Sequence, residues 1–382
     1  MSWHADRDFT VTISGGSVAG LCNAITLRKL GATVRVHERV PGPMMARGAG
    51  IVVQNELMGL LEQNGAGPLP FTSCRGRRYL NSDGGDGVLQ EMPQEFTSWE
   101  AIQAALRAGV PNECYRAGSE VVTVSQTGSR VSATLGDGSV AESDLFVAAD
   151  GSGSAIRRKM IPDVEARYAG YVAWRGTLDE SNVPSDLLAF FDDRFTFSEA
   201  RNGGHMLAYF IPGSDGAVAA GSRRLNWVWY VHVDPTELTN VLTDKNGIRH
   251  RSSLPRGTTP ERIIADLKAR ALRNIHPKMA ALVSETRDPF LQTILDVTVP
   301  KTLFGRVLLT GDAAFVVRPH TAGGTAKAAY EASVLARALK SARANVDVAL
   351  QSTERLQLEY GNALYQYGLA LGNRWSRERS TD

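Results

Sequence analysis

The sequence predicts a two-part α/β protein: a dinucleotide-binding unit, a second and mostly antiparallel sheet, and a C-terminal helix. Three observations carry that expectation. A strand, a glycine turn, a helix and a second strand follow one another from Phe9 to Arg39. Residues 166–284 hold several short, aromatic-rich strand patterns, and residues 346–382 place apolar side chains at helical spacing.

With 382 residues, 43% of them hydrophobic, the chain can bury a full core and exceeds the usual size of one domain. Forty-two Lys and Arg against 40 Asp and Glu leave a net charge of +2, which gives no reason to expect a nucleic-acid or membrane partner. Cys22, Cys74 and Cys114 are widely spaced without a CxxC pair, the pattern of reduced thiols. The opening MSWHADRDF is polar, and no run approaches the roughly 18 apolar residues of a membrane span. A soluble, cytoplasmic protein is the expectation.

The N-terminal element is "FTVTISGGSVAGLCNAITLRKLGATVRVHER". Val11 and Ile13 alternate as in a short buried strand, and Leu21, Ile25, Leu27 and Leu30 line one helix face. Between them, Gly15, Gly16, Ser17 and Gly20 form a turn that lets backbone approach a pyrophosphate at a helix N-terminus. Ser17 replaces the usual middle glycine, and its hydroxyl is a further donor. Glu38, 18 residues beyond Gly20, is placed to accept from ribose hydroxyls, with Arg39 beside it. The same pattern also suits an ordinary βαβ unit with no ligand.

Two later motifs choose the dinucleotide. "DLFVAADGSGSAIRR" contains Asp150, Gly151, Ser154 and Arg157, and "VLLTGDAAFVVRPHTAGG" places Gly311 and Asp312 at a strand end before Pro319, Gly323 and Gly324. Between the first two, "RGAGIVVQNEL" offers Arg47, Gly48, Gly50 and Gln54. In this order the motifs resemble the flavin-dependent aromatic hydroxylases, single-component monooxygenases of the p-hydroxybenzoate hydroxylase type. The resemblance implies a Rossmann-like FAD-binding domain in three pieces, residues 1–72, 97–165 and 285–345. It implies a substrate domain from residues 73–96 and 166–284, and a helical segment at 346–382. The stretches "YAGYVAWRGTL", "FDDRFTF" and "VVRPHTAGG" are similar to family members that hydroxylate hydroxypyridine rings.

The implied cofactor is FAD, held by Gly15, Gly16, Ser17, Gly20, Glu38, Arg39, Arg47, Gly50, Asp150, Asp312, Gly323 and Gly324. Asp312 takes the ribityl chain, and the helix after the glycine pair faces the flavin's pyrimidine end, where charge develops on reduction. A helix cap is the other use of such an aspartate. The family pattern has an asparagine where this chain has Ala326 and Lys327, and an arginine where it has Trp99. The implied reaction reduces FAD with transiently bound NADH or NADPH, activates oxygen as a flavin C(4a)-hydroperoxide and hydroxylates an electron-rich ring. Its partners are the small aromatic substrate, oxygen and NAD(P)H, in a monomer or homodimer; no metal is implied.

Within the strand "HMLAYFIP", His205 and Tyr209 project from one face, and similar histidine–tyrosine pairs in the family act on pyridine and phenol rings. His320, in the loop after the GD motif, is the third catalytic candidate. Trp174, Arg175, Trp227, Trp229 and Tyr230 read as sheet packing. Three alternatives stay open: a phenolic substrate, a flavin-dependent halogenase suggested by "WVWYVH", and an NAD-dependent dehydrogenase on the same N-terminal unit.

Overall fold

A computed structural model describes residues 9–42, 44, 50–81, 84–85, 87–342 and 345–376. Its strands form three sheets. The first has Thr10–Ser14 at its centre, paired in parallel with Thr33–Glu38 on one side and Leu145–Ala148 on the other. Tyr115–Ala117 and Val307–Leu309 continue it in parallel, and Leu303–Phe304 closes one edge antiparallel. Both faces are covered along Leu145–Ala148 and Val307–Leu309, which are apolar and buried throughout. Leu145, Val147 and Leu308 pack on one side against helices Val18–Lys29 and Gly324–Ser341. Phe146, Ala148, Val307 and Leu309 pack on the other, against the small sheet of Val121–Thr127, Arg130–Leu135 and Val140–Ser143.

The nine-stranded sheet is antiparallel except where Arg194–Glu199 runs parallel to Thr72–Leu80. The period of two along its strands separates two environments. Val172, Trp174, Met206, Ala208, Trp227 and Trp229 face a core closed by helices Ser185–Phe191, Glu261–Asn274 and Pro277–Glu285. There Trp227, fully buried, donates its indole N–H to the Thr286 hydroxyl at 2.8 Å. Tyr171, Ala173, Val228 and Tyr230 pack together on the opposite face. This sheet also takes in Gly50–Val52 and Phe290–Asp296, which the sequence reading assigned to the FAD-binding pieces.

The helix Val346–Ser376 packs on Gly324–Ser341, where Tyr360 of the expected stripe meets Tyr330, but the most buried row is the one beside that stripe. Leu356, Tyr360, Leu364 and Leu371 are only half-buried and Tyr367 is exposed. The buried row is Thr353, Gln357, Gly361, Gly368 and Gly372. Small residues win because the helix crosses close to fixed side chains: a Cβ on Gly361 would lie 2.5 Å from the Phe315 ring, and one on Gly372 would lie 2.5 Å from the Arg318 guanidinium. Gly361→Ala tests this. It gains about 1 kcal/mol of helix propensity, while over-packing against a buried ring costs about 1–3 kcal/mol. The urea midpoint should fall; a rise would show that Phe315 yields.

Candidate active site

The cofactor cleft begins at the carboxyl end of Thr10–Ser14. Gly15 adopts a φ of +100°, and a Cβ on Gly20 would sit 1.8 Å from the Gly15 carbonyl oxygen, so only glycine lets the helix start this close to the strand. Ser17 is the N-cap residue but its side chain makes no capping hydrogen bond. Glu38 accepts from the Gly16 N–H at 2.7 Å and the Val40 N–H at 2.8 Å, which fixes the carboxylate beside the turn. Arg39 points instead to the surface, 3.7 Å from Glu120. Arg47 and Gly48 lie outside the described residues.

The DG and GD motifs meet across the cleft through Arg157. Asp150 caps helix Ala155–Met160, accepting from the Ser154 hydroxyl at 2.6 Å and the Ala155 N–H at 2.9 Å. Ser154 in turn accepts from the Arg157 N–H. The buried Arg157 guanidinium donates to the carbonyls of Ser152, Asp312 and Ala313. On the far side of the GD turn, Glu331 accepts from the Thr310 hydroxyl and the Gly311 N–H, both at 2.7 Å. Lys327, fully buried like Glu331, stands 3.4 Å from it. The Ala326–Lys327 departure therefore places a buried lysine opposite a buried glutamate.

Asp312 itself is solvent-accessible by surface area yet deeply surrounded by protein, which together put it on the wall of an internal cleft. Burial raises its carboxyl above the usual range, while Lys327 and Arg157 pull the other way. Its side chain has no hydrogen-bond or ion-pair partner among the described residues. An accessible, unpaired carboxylate of this kind suits hydroxyl donors such as those of a ribityl chain. Gly323 lies at the start of helix Gly324–Ser341, after Ala322 in a left-handed conformation at φ +52°.

Eight residues beyond Asp312, the turn Pro319–Thr321 carries His320 onto the second sheet. Its ring lies 4.3 Å from Tyr230 and 5.1 Å from His205, centroid to centroid, and its Nε2 is hydrogen-bonded to the Tyr171 hydroxyl at 2.9 Å. Behind it, Arg318 binds Asp296 through two hydrogen bonds, at 2.9 and 2.7 Å, and lies 5.5 Å from the Tyr171 ring. The structure thus brings His205 and His320 together. Tyr209 shares the His205 face but sits further along: its ring stacks on Phe96, and Asn226 lies opposite it on the neighbouring strand. Gly50 is pressed against this pair, its N–H donating to the Asn226 carbonyl, and a Cβ there would lie 2.6 Å from the Tyr209 ring.

Tyr171, Asp296 and Arg318 escaped the sequence reading, which took Tyr230 as sheet packing. Strand alternation held the signal for the tyrosines, since Tyr171 and Tyr230 share a face with Ala173 while Trp174, Trp227 and Trp229 share the other. The two tryptophans that suggested a halogenase point into the core, away from this pocket.

The electrostatics are uniform. Burial lowers the His205 pKa well below its ordinary value, helped by His320. Burial, with Arg318, lowers His320 to about 3. Burial raises Tyr171, Tyr209 and Tyr230. At neutral pH both imidazoles are uncharged and all three phenols are protonated.

A parallel-sheet dinucleotide cleft, sealed by an aromatic and histidine-bearing sheet face, defines a redox enzyme that encloses a flat ring against its cofactor. The comparisons give this class its family. The family described as FAD binding domain-like matches residues 168–296. The 2,6-dihydroxypyridine 3-monooxygenase of Paenarthrobacter nicotinovorans is 36% identical over 95% of this chain and 90% of its own length. A 6-hydroxynicotinate 3-monooxygenase of Pseudomonas fluorescens is 25% identical over 88% of this chain and 83% of its own. The solved 2,6-dihydroxypyridine-3-hydroxylase from Arthrobacter nicotinovorans superposes with a TM-score of 0.91 at 32% identity, covering 99% of this chain and 96% of that one. The chain belongs to the FAD-dependent aromatic-ring monooxygenases, and FAD is its cofactor. Among the described residues, no helix is long and apolar enough to cross a membrane.

The neutral histidines make stability depend on pH. Each has a lower pKa folded than unfolded, so below about 6.5 the unfolded chain binds more protons. Stability present above that pH is lost as the pH falls toward 3 at His320. His320→Gln should flatten the slope of unfolding free energy between pH 6.5 and 4.5 by up to about 1.4 kcal/mol per pH unit. An unchanged slope in chemical denaturation would mean that His320 is charged in the native protein.

Proposed function

We propose that this monooxygenase hydroxylates a hydroxypyridine, with NADH or NADPH as transient reductant and oxygen as co-substrate. The observation that carries the reading is the His205–His320–Tyr230–Tyr171 cluster at the seam between cleft and sheet. The relatives that hydroxylate dihydroxypyridine and hydroxynicotinate, similar over most of the chain, support it.

In this reading, bound FAD supplies the oxygen-activating chemistry. The Gly15–Gly20 turn and the amides at the start of Val18–Lys29 receive the pyrophosphate, Glu38 the adenosine ribose and Asp312 the ribityl chain. Asp150 acts through the helix it caps, by holding Arg157 against the GD turn. Gly323 and Gly324 leave the N-terminus of the alanine-rich helix open toward the flavin ring. Uncharged His205 and His320 can hydrogen-bond a ring hydroxyl and orient it, with Tyr171 behind His320 as the next oxygen in the chain. The apolar wall of Tyr230, Val228 and Leu207 keeps water from the ring. NAD(P)H binds from the surface: among the described residues only one strand–glycine turn–helix–strand unit is present.

Three measurements test the reading. NADH oxidation across a panel of hydroxypyridines and phenols, with mass analysis of products, should show stimulation and an added oxygen with hydroxypyridines; a response confined to phenols would overturn it. Asp312→Ala should bind FAD about 10- to 100-fold more weakly, the equivalent of losing about 1.5–3 kcal/mol of charge-assisted hydrogen bonding. The apoprotein should not lose stability, because the carboxylate has no partner among the described residues to lose; full flavin content would reject the assignment. His205→Ala and Tyr209→Phe should retain FAD and basal NADH oxidation. Substrate-stimulated turnover should fall by about 10²–10⁴, or NADH should be diverted to hydrogen peroxide. Unchanged coupling in both would remove them from the pocket.

A further inference from the structure

One charge on the pocket face of the large sheet has no answer in the protein. Arg175 sits within the strand Arg167–Asp179, opposite Val228 on one neighbouring strand and Phe290 on the other. Alternation puts it on the face of Tyr171 and Ala173, and the strand register adds Tyr230, Val228 and Asn226, then Tyr209 beyond. The residue is 9% exposed, and its Nε is buried without a partner. Among the described residues its guanidinium makes no ion pair and no hydrogen bond.

Other buried arginines of this chain are matched. Arg157 donates through its two terminal nitrogens to three carbonyls, although its Nε, like that of Arg175, has no partner; Arg318 has Asp296, and Arg224 has Glu100 together with the Pro212 carbonyl. A buried, unpaired guanidinium is unfavourable unless an anion enters to meet it. The groups around Arg175 cannot supply one. Tyr230 on the adjoining strand and Tyr209 on the strand beyond it share its face, and although its charge opposes the effect of burial there, both phenols stay protonated. Tyr171, on its own strand, is likewise protonated, and Phe290 on the remaining side is apolar. His205 and His320 are neutral and add no competing charge.

We propose that Arg175 anchors an ionised oxygen of the substrate ring, so that the pocket selects the anionic form of a hydroxy-substituted aromatic. This deepens the hydroxypyridine reading and rests on it for the ring. The chemistry is consistent: an opposite charge within about 4–6 Å lowers the pKa of an acid by about 1–3 units. An ionised ring oxygen also pushes electron density into the carbons that must attack an electrophilic oxygen. The proton leaves to solvent, and Arg175 itself exchanges none.

The test uses the FAD-loaded enzyme and the variants Arg175→Gln and Arg175→Lys. Each is titrated across pH with 2,6-dihydroxypyridine and, separately, with 4-nitrophenol, whose ionised form is visible by absorbance. Flavin spectral perturbation reports binding. In the parent enzyme the bound probe should ionise about 1–3 pH units below its solution pKa. In Arg175→Gln ionisation should return to the solution value, with at least tenfold weaker binding of the anion, and Arg175→Lys should retain most of the effect. FAD content should be the same in all three. A parent enzyme that leaves the probe's pKa unshifted, or binds neither probe, overturns the proposal whatever the variants do. So does an Arg175→Gln protein that binds the anion like the parent, or one that emerges without FAD, which would assign Arg175 to the cofactor. If 4-nitrophenol shows the Arg175-dependent shift while 2,6-dihydroxypyridine does not bind, the anion anchor stands and the hydroxypyridine reading falls.

Discussion

The cofactor end of the molecule depends on one buried cation. Arg157 reaches from the helix after the DG motif and spends its guanidinium on carbonyls of both motifs, Ser152 on one strand end and Asp312 and Ala313 on the other. A buried guanidinium is tolerable only when its donors are taken up, so the two loops cannot separate without leaving it unsatisfied. Asp150 and Ser154 hold Arg157 from below through the helix cap, and Glu331 holds the GD turn from the opposite side. The turn is thereby gripped twice, and the Asp312 side chain has nowhere to go but the cleft.

The same turn continues to His320, which makes the cleft and the sheet one site. Between Asp312 and His320 the chain passes Arg318, whose pairing with Asp296 ties it to the last strand of the large sheet. Gly361, Gly368 and Gly372 let the long C-terminal helix close over this segment. Displacing that helix would loosen the pocket at a distance, because Phe315 and Arg318 lie directly beneath it. Burial there lowers the two histidines and raises the three tyrosines, and Arg175, on the same sheet face, has no ion-pair or hydrogen-bond partner for its side chain among the described residues.

The strand, glycine turn and helix at the N-terminus were legible in the sequence, because their geometry is local. A glycine turn, its helix and the acidic residue at the next strand end lie within one short stretch, and their spacing reflects contacts made inside it. Gly15, Gly20 and Glu38 sit where the spacing required them. Arg39, adjacent to Glu38, did not follow its neighbour, since consecutive strand-end residues point to opposite sides. The long helix was legible as a helix but not in its most buried row: large apolar residues marked a stripe, while the distance of closest approach decided that glycines occupy the row beside it.

The motif order, the strand–turn–helix local geometry and the antiparallel character of the second sheet were therefore determined by the sequence alone, since each rests on neighbouring residues and their periodicity. The pocket was decided by tertiary structure. His205, Tyr230, Tyr171 and His320 come from three strands of one sheet and a loop of the other unit, and no spacing relates them. Whether Arg175 is a packing residue or an unanswered charge depends on what lies across from it, and a linear sequence does not record that. Burial and the identity of facing groups set the charge states of the site, and both exist only once the two sheets close on each other.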